Sequence, residues 1–157
     1  MSDSQRIAAI TLDDRTVVRR SPDVEQERKV AIYDLLQKNH FAPAGAMGGP
    51  YRVRLGVEDS SLVLDVTDES DAIVCRIMLA LSPFRRIIKD YFVICDSYYD
   101  AIKTATSARI EAIDMGRRGL HNEAAELLIE RLEGKVDLDL DTARRLFTLL
   151  CVLHMRA

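Results

Sequence analysis

Between Phe84 and Ala105, apolar side chains return every three or four residues, at Ile87, Ile88, Tyr91, Ile94, Cys95, Tyr98 and Ile102. That period predicts one long helix over residues 82–108 with a single buried stripe. Ser82-Pro83 supplies its start, a hydroxyl able to accept from free N–H groups and a proline pre-set for the first turn. The chain before this helix reads mainly as strand and the chain after it as helix. A sheet is therefore expected on one flank and a helical tail on the other.

Upstream the period falls to two. Tyr51, Val53, Leu55 and Val57 alternate with Arg52, Arg54 and Glu58, and Leu62, Leu64 and Val66 answer after a turn at 58–61. Folding about that turn sets Leu55 against Leu64 and Val53 against Val66 on one face, and Arg54 against Asp65 on the other. A polar turn at 67–71 leads to a third strand, 72–81, apolar on both faces and so expected to be covered on both sides. Residues 6–12 alternate loosely as a further strand. Ser21-Pro22 with Asp23, Glu25 and Glu27 predicts a helix from Pro22 to about Asn39. HFAPAGAMGGP at 40–50 reads as a loop.

Downstream, Ser107–Met115 continues or restarts the helix, and Gly116-Arg117-Arg118-Gly119 is expected to end it. Leu120–Glu133 forms the next helix, with Ala124, Ala125, Leu128, Ile129 and Leu132 inward and Gly134 as its stop. The acids of LDLD at 138–141 cap a last helix, Thr142–Met155. Residues 146–153 of that helix carry almost no polar surface, which predicts either the innermost helix or a homodimer interface. If the last two helices form an antiparallel hairpin, Arg144 faces Glu130, and Arg117, Arg118 and His121 share an end with Cys151 and His154. The expected architecture is a single α+β domain over 1–157, strand-rich to about 81 and helical from about 82. In it a small antiparallel β-meander packs against a long central helix and a C-terminal helical hairpin.

Composition narrows the function. A formal charge of -3 over 157 residues argues against holding nucleic acid by bulk attraction. Cys75, Cys95 and Cys151 are odd in number and set among apolar neighbours, the pattern of reduced, buried thiols. The acidic N-terminal stretch does not read as a secretory signal, and Arg76, Arg85 and Arg86 interrupt the best apolar run, so no membrane span is expected. A cytoplasmic protein without a cofactor is the expectation.

Four arginine pairs stand out: Arg19-Arg20, Arg85-Arg86, Arg117-Arg118 and Arg144-Arg145. Guanidinium pairs grip phosphate or carboxylate bidentately, which makes Arg85, Arg86 and Lys89, and separately Arg117, Arg118 and His121, candidate contacts for a phosphorylated ligand or RNA. Against this, arginine outnumbers lysine by 17 to 5, so adjacent pairs also arise as ordinary solvated surface. Cys151, His154 and His121, with Asp114, hold the residue types of an activated thiolate or a zinc site. No Cys-x-x-Cys or His-Glu-x-x-His accompanies them, and a buried core thiol is the simpler reading. The glycines at 45–49 lead into a strand, not the helix N-terminus that a phosphate loop requires. Asp65, Asp68, Glu69 and Asp71 lack calcium-loop spacing. Tyr99 and Phe92 are the aromatics left for base stacking.

SPDVEQER at 21–28, SPFRRIIKDYF at 82–92, GRRGLHNEAAELLIERLEGK at 116–135 and DTARRLFTLLCVLH at 141–154 together resemble an uncharacterised protein family (UPF series) of short alphaproteobacterial proteins. The resemblance spans nearly the whole chain. It implies a bacterial cytoplasmic protein and brings no activity, cofactor or site residue with it. With no complete catalytic motif, the expected role is a non-enzymatic interaction or regulatory protein acting through helical surface. Its partner is then itself, as a homodimer through the last helix, or another protein. A binder of phosphorylated ligand or RNA is the alternative, and a thiol- or metal-dependent enzyme the third.

Overall fold

The structure, a computed structural model, describes residues 4–13, 22–46 and 48–154. Arg19-Arg20, the Ser21 cap and the side chain of His154 lie outside the described residues.

Alternation builds the sheet. Strands β3 (Tyr51–Glu58) and β4 (Ser61–Asp68) pair antiparallel in the expected register, Leu55 with Leu64, Val53 with Val66 and Arg54 with Asp65. Asp59 and Ser60 both take positive φ, 49° and 67°, the geometry by which a two-residue turn matches the strand twist. β5 (Ile73–Ala80) continues the meander against β4. Asp68 shapes the turn before it, its Oδ1 accepting from Ser70 N at 2.8 Å and Ala72 N at 3.0 Å. β5 is not covered on both sides: Ile77 and Leu79 are buried, while Ile73 is 85% and Met78 50% exposed. It is an edge strand, and like other antiparallel strands it turns one face to the core and the other to solvent.

β1 (Ile7–Leu12) completes the order β1-β3-β4-β5 and runs parallel to β3. A parallel neighbour needs a crossover, and α1 (Pro22–Gln37) lies within it. Asn39 ties the two together: Nδ2 donates to Ile7 O at 3.0 Å and Leu35 O at 2.8 Å, and Oδ1 accepts from Ile7 N at 2.7 Å. Part of the predicted loop is a strand, β2 (Phe41–Pro43), paired antiparallel with β6 (Val136–Leu138). Phe41, Val136 and Leu138 bury their side chains beneath this ribbon.

The long helix ends at Thr104, and Ser107 restarts a second one. A 3-10 turn at Ser82–Phe84, with no side-chain cap on its first residue, leads into α2 (Arg85–Thr104). The chain then extends at Ala105 and Thr106, and the Thr106 hydroxyl caps α3 (Ser107–Arg131) by accepting from Arg109 N at 3.3 Å. Phe84, Ile87, Ile88, Tyr91 and Cys95 are buried as the stripe requires, but Ala101 takes the last inward place and Ile102 turns out. The glycines of 116–119 do not end a helix. Neither takes positive φ, and a Cβ on Gly116 would lie 2.8 Å from Ile94 Cδ1, so this glycine lets α2 and α3 approach closely. The true stop follows Arg131, where Gly134 adopts φ +83°.

α4 (Leu140–His154) begins where Asp139 Oδ1 accepts from Thr142 N at 2.9 Å. The helices stand in the row α1, α4, α3, α2, each packed on the next, and α4 also meets β3. Ala143 and every residue from Leu146 to Leu153 are buried. This is the innermost helix, and the apolar surplus that suggested a dimer face is covered by the chain's own sheet and helices. Sheet and helical row form the two layers of an α+β domain around one core.

Candidate functional site

Where α1, α3 and α4 meet, the helix faces place polar and aromatic groups together. His121 on α3 lies 5.4 Å from the Tyr91 ring and 6.0 Å from Phe147, and Tyr91 meets Phe147 edge-on at 5.5 Å. His121 Nε2 contacts Arg144 O at 2.7 Å and Thr148 Oγ1 at 2.9 Å. Burial disfavours its charged form and lowers its pKa to about 4, a downward shift that the hydrogen bond to Arg144 O only partly opposes. Neutral at physiological pH, the imidazole donates to that carbonyl and ties α3 to α4.

The thiol chemistry proposed for this corner does not assemble. Cys151 is 2% exposed, and burial pushes its thiol well above the ordinary value. Burial likewise pushes Cys95 up to about 11, despite a hydrogen bond from Tyr91. A neutral thiol is a poor nucleophile. His121 is engaged with Thr148 and Arg144 O, and Asp114 with arginines. Among the described residues, no three His, Cys, Asp or Glu side chains gather as a metal ion would need.

The predicted cations separate into two groups. Arg117 is half-buried: it donates to Asp114 Oδ1 at 2.9 Å, reaches Glu27 Oε1 at 3.4 Å and stacks 4.5 Å over the Tyr98 ring. Arg118 pairs with Asp114 Oδ2 at 2.8 Å, and the Arg117 hydrogen bond, foremost, holds the Asp114 carboxyl below its usual range. Tyr99 donates to Glu27 Oε1 at 2.6 Å, so it too is committed to this network. Arg85, Arg86 and Lys89 stay exposed on the first turn of α2. Arg86 approaches Asp90 at 3.9 Å and lines a groove with Glu123, Glu126 and Glu130, so its neighbours are acids and not the other arginines. Arg144 does not meet Glu130. The chain between α3 and α4 forms a turn and β6, and Arg144 pairs with Asp141 on its own helix at 3.7 Å. The carbonyl of Gly48 accepts from Gln5 Nε2 at 2.7 Å and Tyr51 OH at 3.0 Å, which turns acceptors where a phosphate cradle would need donors.

The least expected surface is on the outer side of α3. A groove of about 470 Å³ between this helix and the β2/β6 ribbon has Ile129, Val136 and Leu138 among its apolar walls, and Glu126, Glu130, Glu133 and Asp137 line it with no cation. A second groove, of about 510 Å³, runs between α3 and α2 past Ile87, Leu120 and Leu127 and shares Glu126 and Glu130 with the first. Asp137 is paired with His40 at 3.0 Å. Glu123, Glu126, Glu130 and Glu133 have no ion-pair partner among the described residues. The signal was present in the sequence: glutamates at 123, 126 and 130 keep helical spacing and share one face of α3, and Glu133 follows in the turn.

The family model described as "Uncharacterised protein family (UPF0262)" matches residues 4–156. A UPF0262 protein of Rhizobium etli (strain CIAT 652) is 58% identical over 151 residues, 96% of each chain. Relatives of the same name from Rhodopseudomonas palustris (strain BisB5) and Nitrobacter hamburgensis are each 57% identical, covering 98% and 96% of this chain and 94% and 92% of their own. No solved structure matches. The segments at 21–28, 82–92, 116–135 and 141–154 thus lie within a full-length match, and the chain belongs to the uncharacterised protein family UPF0262.

Proposed function

We propose that this protein is a non-enzymatic binding module of the bacterial cytoplasm, and that its grooves along α3 receive a basic, amphipathic segment of another protein. The observation that carries this is the pair of apolar-floored grooves sharing Glu126 and Glu130, one of them lined by four carboxylates and no cation. Apolar side chains of such a segment would fill the floor, and its lysines or arginines would meet Glu126, Glu130 and Glu133, which have no ion-pair partner among the described residues. Complementary charge of this kind sets orientation and association rate, while the apolar contacts supply most of the affinity. No described helix is long and apolar enough to cross a membrane. The reduced cysteines support the assigned compartment.

The test is titration with a fluorescent Leu/Lys helical peptide, beside a Leu/Glu peptide of the same pattern. The basic peptide should bind, weaken with added salt, and lose binding in the Glu126→Lys/Glu130→Lys variant. Equal binding to that variant would overturn the assignment. So would retention on heparin that disappears in Arg85→Ala/Lys89→Ala, paired with indifference to both peptides; that outcome would favour the polyanion alternative. Formation of a dimer that Glu126→Lys/Glu130→Lys dissolves would replace the foreign segment with a second copy of this chain.

A further inference from the structure

A smaller cleft, of about 160 Å³, opens between α1, α3 and α4. Glu27, Asp34, His121, Arg144, Arg145 and Thr148 supply its polar lining, with Val30 and Ala31 as the apolar part. Glu27, Ala31 and Asp34 recur along one face of α1, so both carboxylates belong to the same wall; Arg144, Arg145 and Thr148 form the α4 wall opposite.

Charge balance in this cleft is informative. With the ions paired to the lining included, Arg117 on Glu27 and Asp141 beside Arg144 and Arg145, three guanidinium groups meet three carboxylates, and His121 is neutral, so a phosphate would meet as much repulsion as attraction. A simple cation would fare no better. Arg144, Arg145 and Asp34 are also under-used. Arg144 and Arg145 keep about a third of their side chains exposed, and their outer nitrogens meet only Asp141, its carboxylate at 3.7 and 4.0 Å and its carbonyl at 3.1 Å from Arg145 Nη1. Guanidinium groups held this loosely keep donors for a carboxylate, which they grip bidentately. Asp34 makes no hydrogen bond or ion pair among the described residues, although it is partly buried. A ligand that completes this arrangement carries both a negative and a positive end. At about 30 Å³ for each water, the cleft holds on the order of five waters, the space of a molecule with about six non-hydrogen atoms.

We propose that this cleft binds a small α-amino acid as its zwitterion, the carboxylate held by Arg144 and Arg145 and the ammonium by Asp34. Val30 and Ala31 accommodate a short side chain, which excludes the larger amino acids. This site lies apart from the α3 grooves and stands independently of the partner proposed for them.

Isothermal titration and thermal melting with L-alanine test it, with acetate and methylammonium as the two separated halves and L-tryptophan as the size control. L-alanine should bind and raise the melting temperature, while acetate, methylammonium and L-tryptophan do neither. Arg145→Gln and Asp34→Asn should each weaken L-alanine binding by about tenfold or more, the loss that accompanies one hydrogen bond to a charged group. Val30→Phe narrows the rim without touching a charge and should abolish binding in a protein that melts normally. Acetate binding as tightly as L-alanine, or undiminished affinity in Asp34→Asn, would overturn the proposal in favour of a plain anion site. No heat and no melting shift with L-alanine would overturn it outright.

Discussion

Gly116 and Ile94 are in contact across the α2/α3 interface, where a Cβ on the glycine would come within 2.8 Å of Ile94 Cδ1. Gly119, three residues on, has nothing within 4 Å of the same position. One glycine answers a packing demand and the other does not. Gly119→Ala should therefore stabilise the protein by about 0.5–1 kcal/mol, the ordinary gain from replacing glycine within a helix. Gly116→Ala should gain less, because Ile94 must move its terminal methyl, and Gly116→Val should destabilise. Denaturant melts of the three variants against the parent check the order; an equal gain from alanine at both sites would refute the packing role of Gly116.

His121 makes stability depend on mild acid. Its pKa falls from 6.5 in the unfolded chain to about 4 when folded, so the unfolded state binds the extra proton between those values. The stabilising contribution is complete above pH 6.5 and is lost as pH falls towards 4, amounting to up to about 3 kcal/mol. Asp114, whose folded pKa is lowered from 3.8, acts below this window, so its effect is separable. Melting temperature followed from pH 7.5 to 4.5 should drop more steeply for the parent than for His121→Gln. Parallel curves would show that His121 is not held neutral.

Asn39 should be more costly to remove than its partial exposure implies. Its side chain makes three hydrogen bonds to the backbone, two to Ile7 and one to Leu35, and so fixes the end of α1 to the start of β1. Asn39→Ala is expected to cost about 2–3 kcal/mol, since it leaves partly buried backbone groups unmet. Asn39→Asp keeps the acceptor for Ile7 N and loses both donors, so it should fall between. Urea unfolding gives the ranking, and amide exchange at Ile7 N should accelerate most in Asn39→Ala, which alone removes its acceptor.

Much of this architecture was legible in the residues. The β3/β4 register follows from the pairing of Val53, Leu55 and Arg54 with Val66, Leu64 and Asp65, because a slip by one residue would turn every one of them to the wrong face. The inner place of α4 follows from a helix with almost no polar side. Other features depend on partners far along the chain. β2 and β6 have three residues each, too few for a period, and they find one another across more than ninety residues. Glycine is a helix stop only where the backbone needs positive φ, and nothing near Gly116 distinguishes that case from close helix packing. For the site, residue types were visible but allegiance was not: Arg117, Arg118 and Arg144 each have a carboxylate beside them, a matter of rotamer and helix rotation. The unpaired acids of α3 stood at plain helical spacing all along.

The position of α4 also sets the order in which the protein can come together during synthesis. A ribosome makes the sheet, α1, α2 and α3 first, at about 5–20 residues per second, and all of them wait for the helix that fills the middle of the row. Until Ala143, Phe147 and Leu150 emerge, the inner faces of Tyr51, Leu35 and Leu128 have no common floor. For several seconds the nascent chain is a shell without its keystone, and that interval is when it is most exposed to wrong partners.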